Sequence, residues 1–269
     1  MTIRCGFIGL GDQGAPIARR MIDGGFPVTL WARRPETLEP YRGGNARFAA
    51  TIEELGSASE HVGLCVVDDN DVREVCDKLV PAMAPGSRIV IHSTINPDTC
   101  RDIERHAGTR GVHVIDAPVS GGNGVAAAGT LTVMVGGDPD VVAAARPVLE
   151  TFGKLILHLG AVGSGQHAKL INNTLLTGNI GLAHAALLAG DRLAVERETL
   201  VELLLASSGR SYGLEVRARM TSPQGFARGG ALLAKDLRLL GEVLGEDDQA
   251  FEQLRNASAP FLDEALEKH

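Results

Sequence analysis

The segment Cys5-Gly6-Phe7-Ile8-Gly9-Leu10-Gly11-Asp12-Gln13-Gly14 constrains the fold more than any other part of the chain. A short apolar strand pattern runs into G-x-G-x-x-G, and the helix-period residues Ala15 to Ile22 follow at once. In that setting each glycine has a physical reason. Gly9 permits a tight turn, Gly11 lets a pyrophosphate approach the backbone at a helix N-terminus, and Gly14 lets helix and strand pack closely. The segment therefore reads as the first βα turn of a dinucleotide-binding domain.

The end of the second strand bears on which dinucleotide. An NAD site usually carries Asp or Glu about 20 residues past the glycines, bonded to the ribose 2′-hydroxyl. Here the chain reads Leu30-Trp31-Ala32-Arg33-Arg34-Pro35, with no carboxylate. Two guanidiniums at Arg33 and Arg34 suit a 2′-phosphate through charge and forked hydrogen bonds. NADP(H) is the expected cofactor, with NAD(H) left open.

Up to about residue 160, short β-branched runs alternate with helix-period segments, which builds a parallel sheet covered by helices on both faces. The expected strands are Ile3 to Ile8, Val28 to Trp31, Val62 to Val67, Arg88 to His92, Val112 to Asp116, Leu131 to Val135 and Leu155 to Leu159. Thr51-Ile-Glu-Glu54 reads as a capping box, and Asn96-Pro97-Asp98 places Pro in a first helical turn. From Gln166 to Leu193 the apolar positions recur every three or four residues, so one long helix is expected. Further helices are read over Thr199 to Ala206, Ala231 to Leu244 and Gln249 to Leu254. The fold class is α/β: a Rossmann-type doubly wound sheet over residues 1–162, then an all-α domain over 163–269, joined by a long interdomain helix.

Several function classes fall away. A net charge of -7, from 33 acidic and 26 basic residues spread along the chain, gives no basic stripe for nucleic acid or anionic lipid. No run of 18 apolar residues occurs, and the opening MTIRCGFIGLG lacks a signal peptide's pattern. Cys5, Cys65, Cys76 and Cys100 show no C-x-x-C spacing, so a reduced, cytoplasmic protein is expected. The histidines are scattered without H-x-x-x-H spacing, and no metal site is expected. Asp68-Asp-Asn-Asp71 reads as a solvated turn opening a helix. Gly209-Arg-Ser211-Tyr-Gly213 matches the G-x-S-x-G hydrolase elbow, but a helical segment precedes it and the only later histidine is His269.

Two other glycine-rich stretches carry the remaining chemistry. Asp116-Ala-Pro-Val-Ser120-Gly121-Gly122 follows a strand, so it belongs at the carboxyl edge of the sheet, where ligands of open α/β sheets bind. Serine followed by two glycines can form a nest of backbone N–H groups beside a hydroxyl, suited to a carboxylate. Gly163-Ser-Gly165-Gln-His-Ala-Lys169 opens the long helix, and Asn172 and Asn173 lie three and four residues beyond Lys169 on its face. Read alone, that stretch is equally a surface lysine with polar neighbours.

Together these residues resemble the β-hydroxyacid dehydrogenases, the family of 3-hydroxyisobutyrate dehydrogenase, tartronate semialdehyde reductase and the glyoxylate/succinic semialdehyde reductases. The likeness rests on GLGDQG at Gly9 to Gly14, DAPVSGG at Asp116 to Gly122 with GTL at Gly129 to Leu131, GSGQHAKLINN at Gly163 to Asn173, and LLAKDL at Leu232 to Leu237. Ser207-Ser-Gly-Arg-Ser-Tyr212 also resembles a family segment, which accounts for the false elbow. The resemblance implies that Lys169 is the catalytic acid/base assisted by Asn173, and that Ser120, Gly121 and Gly122 hold the carboxylate of a small substrate. It further implies dinucleotide contacts at Gly9, Leu10, Gly11, Asp12, Gln13 and Gly14, at Val66, Val67 and Thr94, and at Lys235. Two departures stand out: Gln13 replaces the usual methionine, and SGGNGVA replaces SGGxxGA.

The implied reaction moves a hydride between NADP(H) and a small β-hydroxyacid or aldehyde acid, with Lys169 passing the proton in a cleft between the domains. An imine reductase shares the architecture but usually lacks the lysine. Phosphogluconate dehydrogenases carry His and Glu where this chain has Asn172 and Leu176. A non-catalytic nucleotide-binding member of the fold is the alternative from another class. A homodimer or homotetramer is expected.

Overall fold

A computed structural model describes residues 2–267. The chain divides into two compact units, the first ending at Lys169 and the second beginning at Leu170.

In the first unit the elements alternate: β1 (Cys5–Ile8), α1 (Gly14–Asp23), β2 (Val28–Trp31), β3 (Arg47–Phe48), α2 (Ile52–Ala58), β4 (His61–Leu64), α3 (Asp69–Ala82), β5 (Arg88–Ile91), α4 (Pro97–Gly108), β6 (His113–Asp116). A 3₁₀ turn over Pro35–Tyr41 links β2 to β3. These six strands pair in the order β3-β2-β1-β4-β5-β6, every pair parallel. The order reverses between β1 and β4, so crossovers leave their carboxyl ends in opposite directions and open a crevice there.

Period-two alternation separates two cores. Cys5, Phe7, Leu30, Val90 and Ile115 pack on one face. Ile8, Val62, Leu64, Ile89, Ile91 and Val114 pack on the other. Both faces are covered, hence the nearly unbroken apolar strands. The helix signals also act locally: Thr51 Oγ1 accepts from the Glu54 N–H, and Glu54 returns a bond to the Ala50 N–H. Asn96 caps α4 with Pro97 in its first turn.

The sequence places Leu131 to Val135 and Leu155 to Leu159 in the large parallel sheet; the structure corrects this. After β7 (Val119–Ser120) and α5 (Gly122–Ala127), strand β8 (Leu131–Val135) pairs antiparallel with β7 and, beyond α6 (Pro139–Leu149), parallel with β9 (Gly153–His158). An isolated bridge between Asp116 and Gly136 links this smaller sheet to the first, and Leu131, Val133 and Val135 share a core with Val90 and Ile115.

Helix α7 (Ser164–Arg192) is 29 residues long, and the division between units falls inside it. Beyond it lie α8 (Arg197–Ala206), α9 (Tyr212–Ala218), α10 (Ala227–Leu244) and α11 (Gln249–Leu266). The sequence reading stops α11 at Leu254, but the helix continues through Pro260. Burial of Phe261, Leu262 and Ala265 in this unit's core outweighs the hydrogen bond that Pro260 cannot make. Ser211 Oγ accepts from the Leu214 N–H as the N-cap of α9, so the apparent elbow serine begins a helix.

Candidate active site

The glycine loop follows β1 and meets the β4 end at the crevice. Gly9 has φ +99°, and a Cβ there would strike the Cys65 carbonyl. A Cβ at Gly14 would strike the Gly9 carbonyl oxygen, whereas one at Gly11 would meet nothing within 4 Å. Two of the three glycines thus let the chain pack on itself, and the third leaves space beside the backbone. No side chain caps α1 at Gln13; of its first residues, Ala15 donates its N–H to the Gly11 carbonyl at 2.9 Å and Pro16 has no N–H. A cavity of about 360 Å³ opens here, lined by Gly9, Leu10, Gly11, Trp31, Arg33, Arg34, Val66 and Val67 among others. The open backbone at Gly11, just before a helix start, fits the pyrophosphate of a dinucleotide.

Arg33 is 62% exposed, and its Nη2 lies 2.8 Å from Asp71 Oδ1 and 3.7 Å from Glu74 Oε2. The hydrogen bond and charge of Asp71 hold the guanidinium's pKa above its ordinary value. Sequence reasoning finds no acid at the end of β2, yet the structure brings one from α3, whose N-cap is Asp68. Asp12 offers its carbonyl to Asn123 Nδ2 at 2.6 Å, tying the glycine loop to the start of α5. Gln13 Nε2 is buried without a hydrogen-bond partner among the described residues.

Ser120 ends β7, and Gly121 (φ +138°) and Gly122 (φ +75°) turn the chain into α5. A Cβ at Gly121 would press on Val125 at 2.6 Å, while Gly122 faces open space. Gly121 is fixed by packing, and Gly122 leaves its backbone accessible to a small anion.

Thr94 sits between β5 and α4, and both its neighbours are bonded. Ser93 Oγ accepts from the Val66 N–H at 2.8 Å, and the Ile95 N–H donates to Gln166 Oε1 at 3.2 Å. Lys169, on the second turn of α7, is only 9% exposed, which sets aside the reading of a solvated surface lysine. Four residues on, Asn173 shares its helix face. In the second unit, Asn173 Nδ2 donates to Asp236 Oδ2 at 2.6 Å, and Asn172 Nδ2 donates to Asn173 Oδ1 at 3.1 Å. Lys235 Nζ lies 3.5 Å from Asp236 Oδ1.

Three buried groups escaped the sequence reading as site components. Asp116 appeared there only as the start of DAPVSGG, yet its carboxylate accepts from the Gly163 and Gln166 N–H groups at 2.7 Å each. Burial pushes its carboxyl up to about 6 against the pull of those bonds. Gln166 and Asp236 bond partners distant in sequence, so no local pattern marks them.

Residues 4–160 match the family described as the NAD binding domain of 6-phosphogluconate dehydrogenase. Residues 163–263 match the NAD-binding domain of NADP-dependent 3-hydroxyisobutyrate dehydrogenase. An NAD-dependent L-serine dehydrogenase of Pseudomonas aeruginosa is 36% identical over 257 residues, spanning 88% of this chain and 84% of that protein. The mitochondrial 3-hydroxyisobutyrate dehydrogenase of Mus musculus is 33% identical, spanning 87% and 73%. The structure of Mycobacterium tuberculosis 3-hydroxyisobutyrate dehydrogenase with L-serine superposes with a TM-score of 0.87 at 26% identity, spanning 98% and 94%.

The fold and the glycine loop, with these relatives, define a dinucleotide-dependent oxidoreductase acting on CH–OH donors. The chain belongs to the NAD(P)-dependent 3-hydroxyacid dehydrogenases, the family of 3-hydroxyisobutyrate dehydrogenase. Among the described residues, no helix is long and apolar enough to cross a membrane.

Proposed function

We propose that this enzyme interconverts a small β-hydroxyacid and its aldehyde or ketone acid using NADP(H), with Lys169 as general acid/base. The burial of Lys169 near the start of α7 carries the reading, because an enclosed ammonium is a proton donor of defined position. The bound dinucleotide supplies or accepts the hydride. In reduction, Lys169 donates a proton to the oxygen of the carbonyl as it becomes alkoxide; in oxidation, neutral Lys169 takes the hydroxyl proton. Asn173, held by Asp236, assists Lys169 from the next helical turn. Ser120 with the Gly121 and Gly122 backbone receives the substrate carboxylate, and Thr94 bounds the nicotinamide. By family resemblance, Lys235 is assigned to the dinucleotide.

NADP(H) is favoured because Arg33 and Arg34 both line the cavity and no carboxylate ends β2. The bond from Arg33 to Asp71 and the likeness to an NAD-dependent L-serine dehydrogenase favour NAD(H) instead. The reading includes a homodimer or homotetramer, since Ile171, Leu175 and Leu182 of α7 and Leu203 of α8 are each more than half exposed. It also includes a cytoplasmic location, which suits four free thiols.

The test is a spectrophotometric screen of NADPH oxidation against glyoxylate, succinic semialdehyde, tartronate semialdehyde and methylmalonate semialdehyde, with NADH in parallel. L-serine and 3-hydroxyisobutyrate are assayed in the oxidative direction, as the named relatives indicate. Turnover of at least one acid, faster with NADPH, is the expected result. Equal rates with NADH overturn the cofactor assignment, and no turnover of any acid overturns the substrate class.

A further inference from the structure

A polar chain runs through the first unit from Val66, just beyond β4, to the helix bearing Lys169. The Val66 N–H donates to Ser93 Oγ at 2.8 Å. Gln166 Nε2 donates to the Ser93 carbonyl at 2.8 Å, and Gln166 Oε1 accepts from the Ile95 N–H at 3.2 Å. The Gln166 side chain thus grips the residue on each side of Thr94. Its own N–H donates to Asp116 Oδ2, and the Gly163 N–H donates to Asp116 Oδ1, both at 2.7 Å. Gln166 and Asp116 are each 0% exposed. The surroundings leave the clasp no slack: a Cβ at Gly136 would lie 2.5 Å from Asp116 Oδ1, and one at Gly165 would lie 2.8 Å from Asp116 Oδ2.

Each member bonds through both polar atoms at the end of its side chain, in a way no neighbouring residue type reproduces. Gln166 needs both an acceptor and a donor at the end of a two-methylene stem. Both oxygens of Asp116 accept from backbone N–H groups, so an amide in its place would set an NH₂ against one of them. Gln166 precedes Lys169 by three residues, less than one helical turn. Whatever fixes Gln166 against Ser93 and Ile95 therefore fixes Lys169 against the Thr94 loop.

We propose that Gln166, anchored through Asp116, is a positioning residue that sets the placement of Lys169 relative to the Thr94 loop. The inference rests on the assignment of Lys169 as the acid/base. Its effect belongs in the chemical step, because misplacing a proton donor by about 1 Å costs roughly a hundredfold in rate. Dinucleotide affinity should be largely spared, since the glycine loop and the arginines lie outside the clasp and Val66 bonds Ser93 Oγ, an atom Gln166 does not bond.

The test uses the full-length enzyme and Gln166→Met, which keeps length and volume but neither bond. Gln166→Glu, which keeps the acceptor and loses the donor, and Asp116→Asn are measured beside it. Trp31, the only tryptophan, lines the cofactor cavity, so quenching of its fluorescence gives the NADPH affinity and the fraction of competent enzyme. Single-turnover hydride transfer is followed at saturating NADPH with whichever of the four screened carbonyl acids is reduced fastest. That rate constant is independent of the fraction folded. The expected result is a tenfold to hundredfold fall in it for the Gln166 variants, with NADPH affinity within threefold of wild type. A rate constant within twofold of wild type in both Gln166 variants overturns the proposal, as does a fall in competent fraction alone. Should Gln166→Met fail to fold, Gln166→Glu and Asp116→Asn decide by the same criterion. Lys169→Ala is run in parallel: if it still turns over, the acid/base assignment fails, whereas an inactive Lys169→Ala with unaffected Gln166 variants defeats only the positioning role.

Discussion

Acidification should destabilise this protein through His92, and the size of the effect follows from its surroundings. The ring is 3% exposed, stacked on Phe7 at 6.0 Å and edge-on to Phe152 at 5.4 Å. Its Nδ1–H donates to the Ala117 carbonyl at 2.8 Å, and Nε2 has no hydrogen-bond partner among the described residues. Protonation would put a charge where nothing solvates it, so burial lowers the pKa from 6.5 to about 4. The unfolded chain then binds more protons than the folded one between those values. Stability from neutral His92 is complete above pH 6.5 and is lost as pH falls toward 4, a total of about 3 kcal/mol. Asp116 acts with the opposite sign: its carboxyl, raised from 3.8 to about 6, contributes stability at low pH that is lost as pH rises through 6. Comparing wild type with His92→Gln cancels that contribution, because both proteins carry Asp116. Urea unfolding midpoints from pH 7.5 to 4.5 should fall more steeply for wild type, by the equivalent of about 2–3 kcal/mol. Parallel curves would refute the reasoning that His92 is held neutral by burial.

Two further perturbations separate packing from function. Gly11→Ala adds a methyl group where nothing lies within 4 Å. It should leave the melting temperature unchanged while weakening NADPH binding at least tenfold, whereas Gly14→Ala, whose Cβ strikes the Gly9 carbonyl, should lose about 1–3 kcal/mol of stability as well. Calorimetry and Trp31 quenching read the two quantities on the same samples. Asp236→Ala removes the acceptor for Asn173 Nδ2 and should cost about 1–3 kcal/mol in urea unfolding. Turnover should drop roughly tenfold through the misoriented amide; a variant as active and stable as wild type would show that the pair does neither.

The parts of the fold legible in the sequence are those written in short-range pattern. The β1 glycine loop, the cap at Thr51 and the long α7 each depend on residues within a few positions of one another. The small sheet was not legible, because Leu131 to Val135 has the same apolar alternation whether it pairs with β6 or β7. Helix α9 hid behind Ser211-Tyr212-Gly213, where a cap and a turn use the same residue types. Of the candidate site, the glycines and Lys169 stood out, since motif spacing marks them. Asp116 and Gln166 act across 47 and 71 residues of sequence, and Asp236 across 63, so only the folded chain brings out their roles. Asp71 shows the same limit: the β2 end lacks an acid in sequence but not in space.

The most direct test of the account is the NADPH-dependent reduction of a small carbonyl acid by wild type and Lys169→Ala, with cofactor affinity measured on both. The account predicts that Lys169→Ala binds NADPH as wild type does and shows turnover at least a hundredfold lower. An active Lys169→Ala would contradict it.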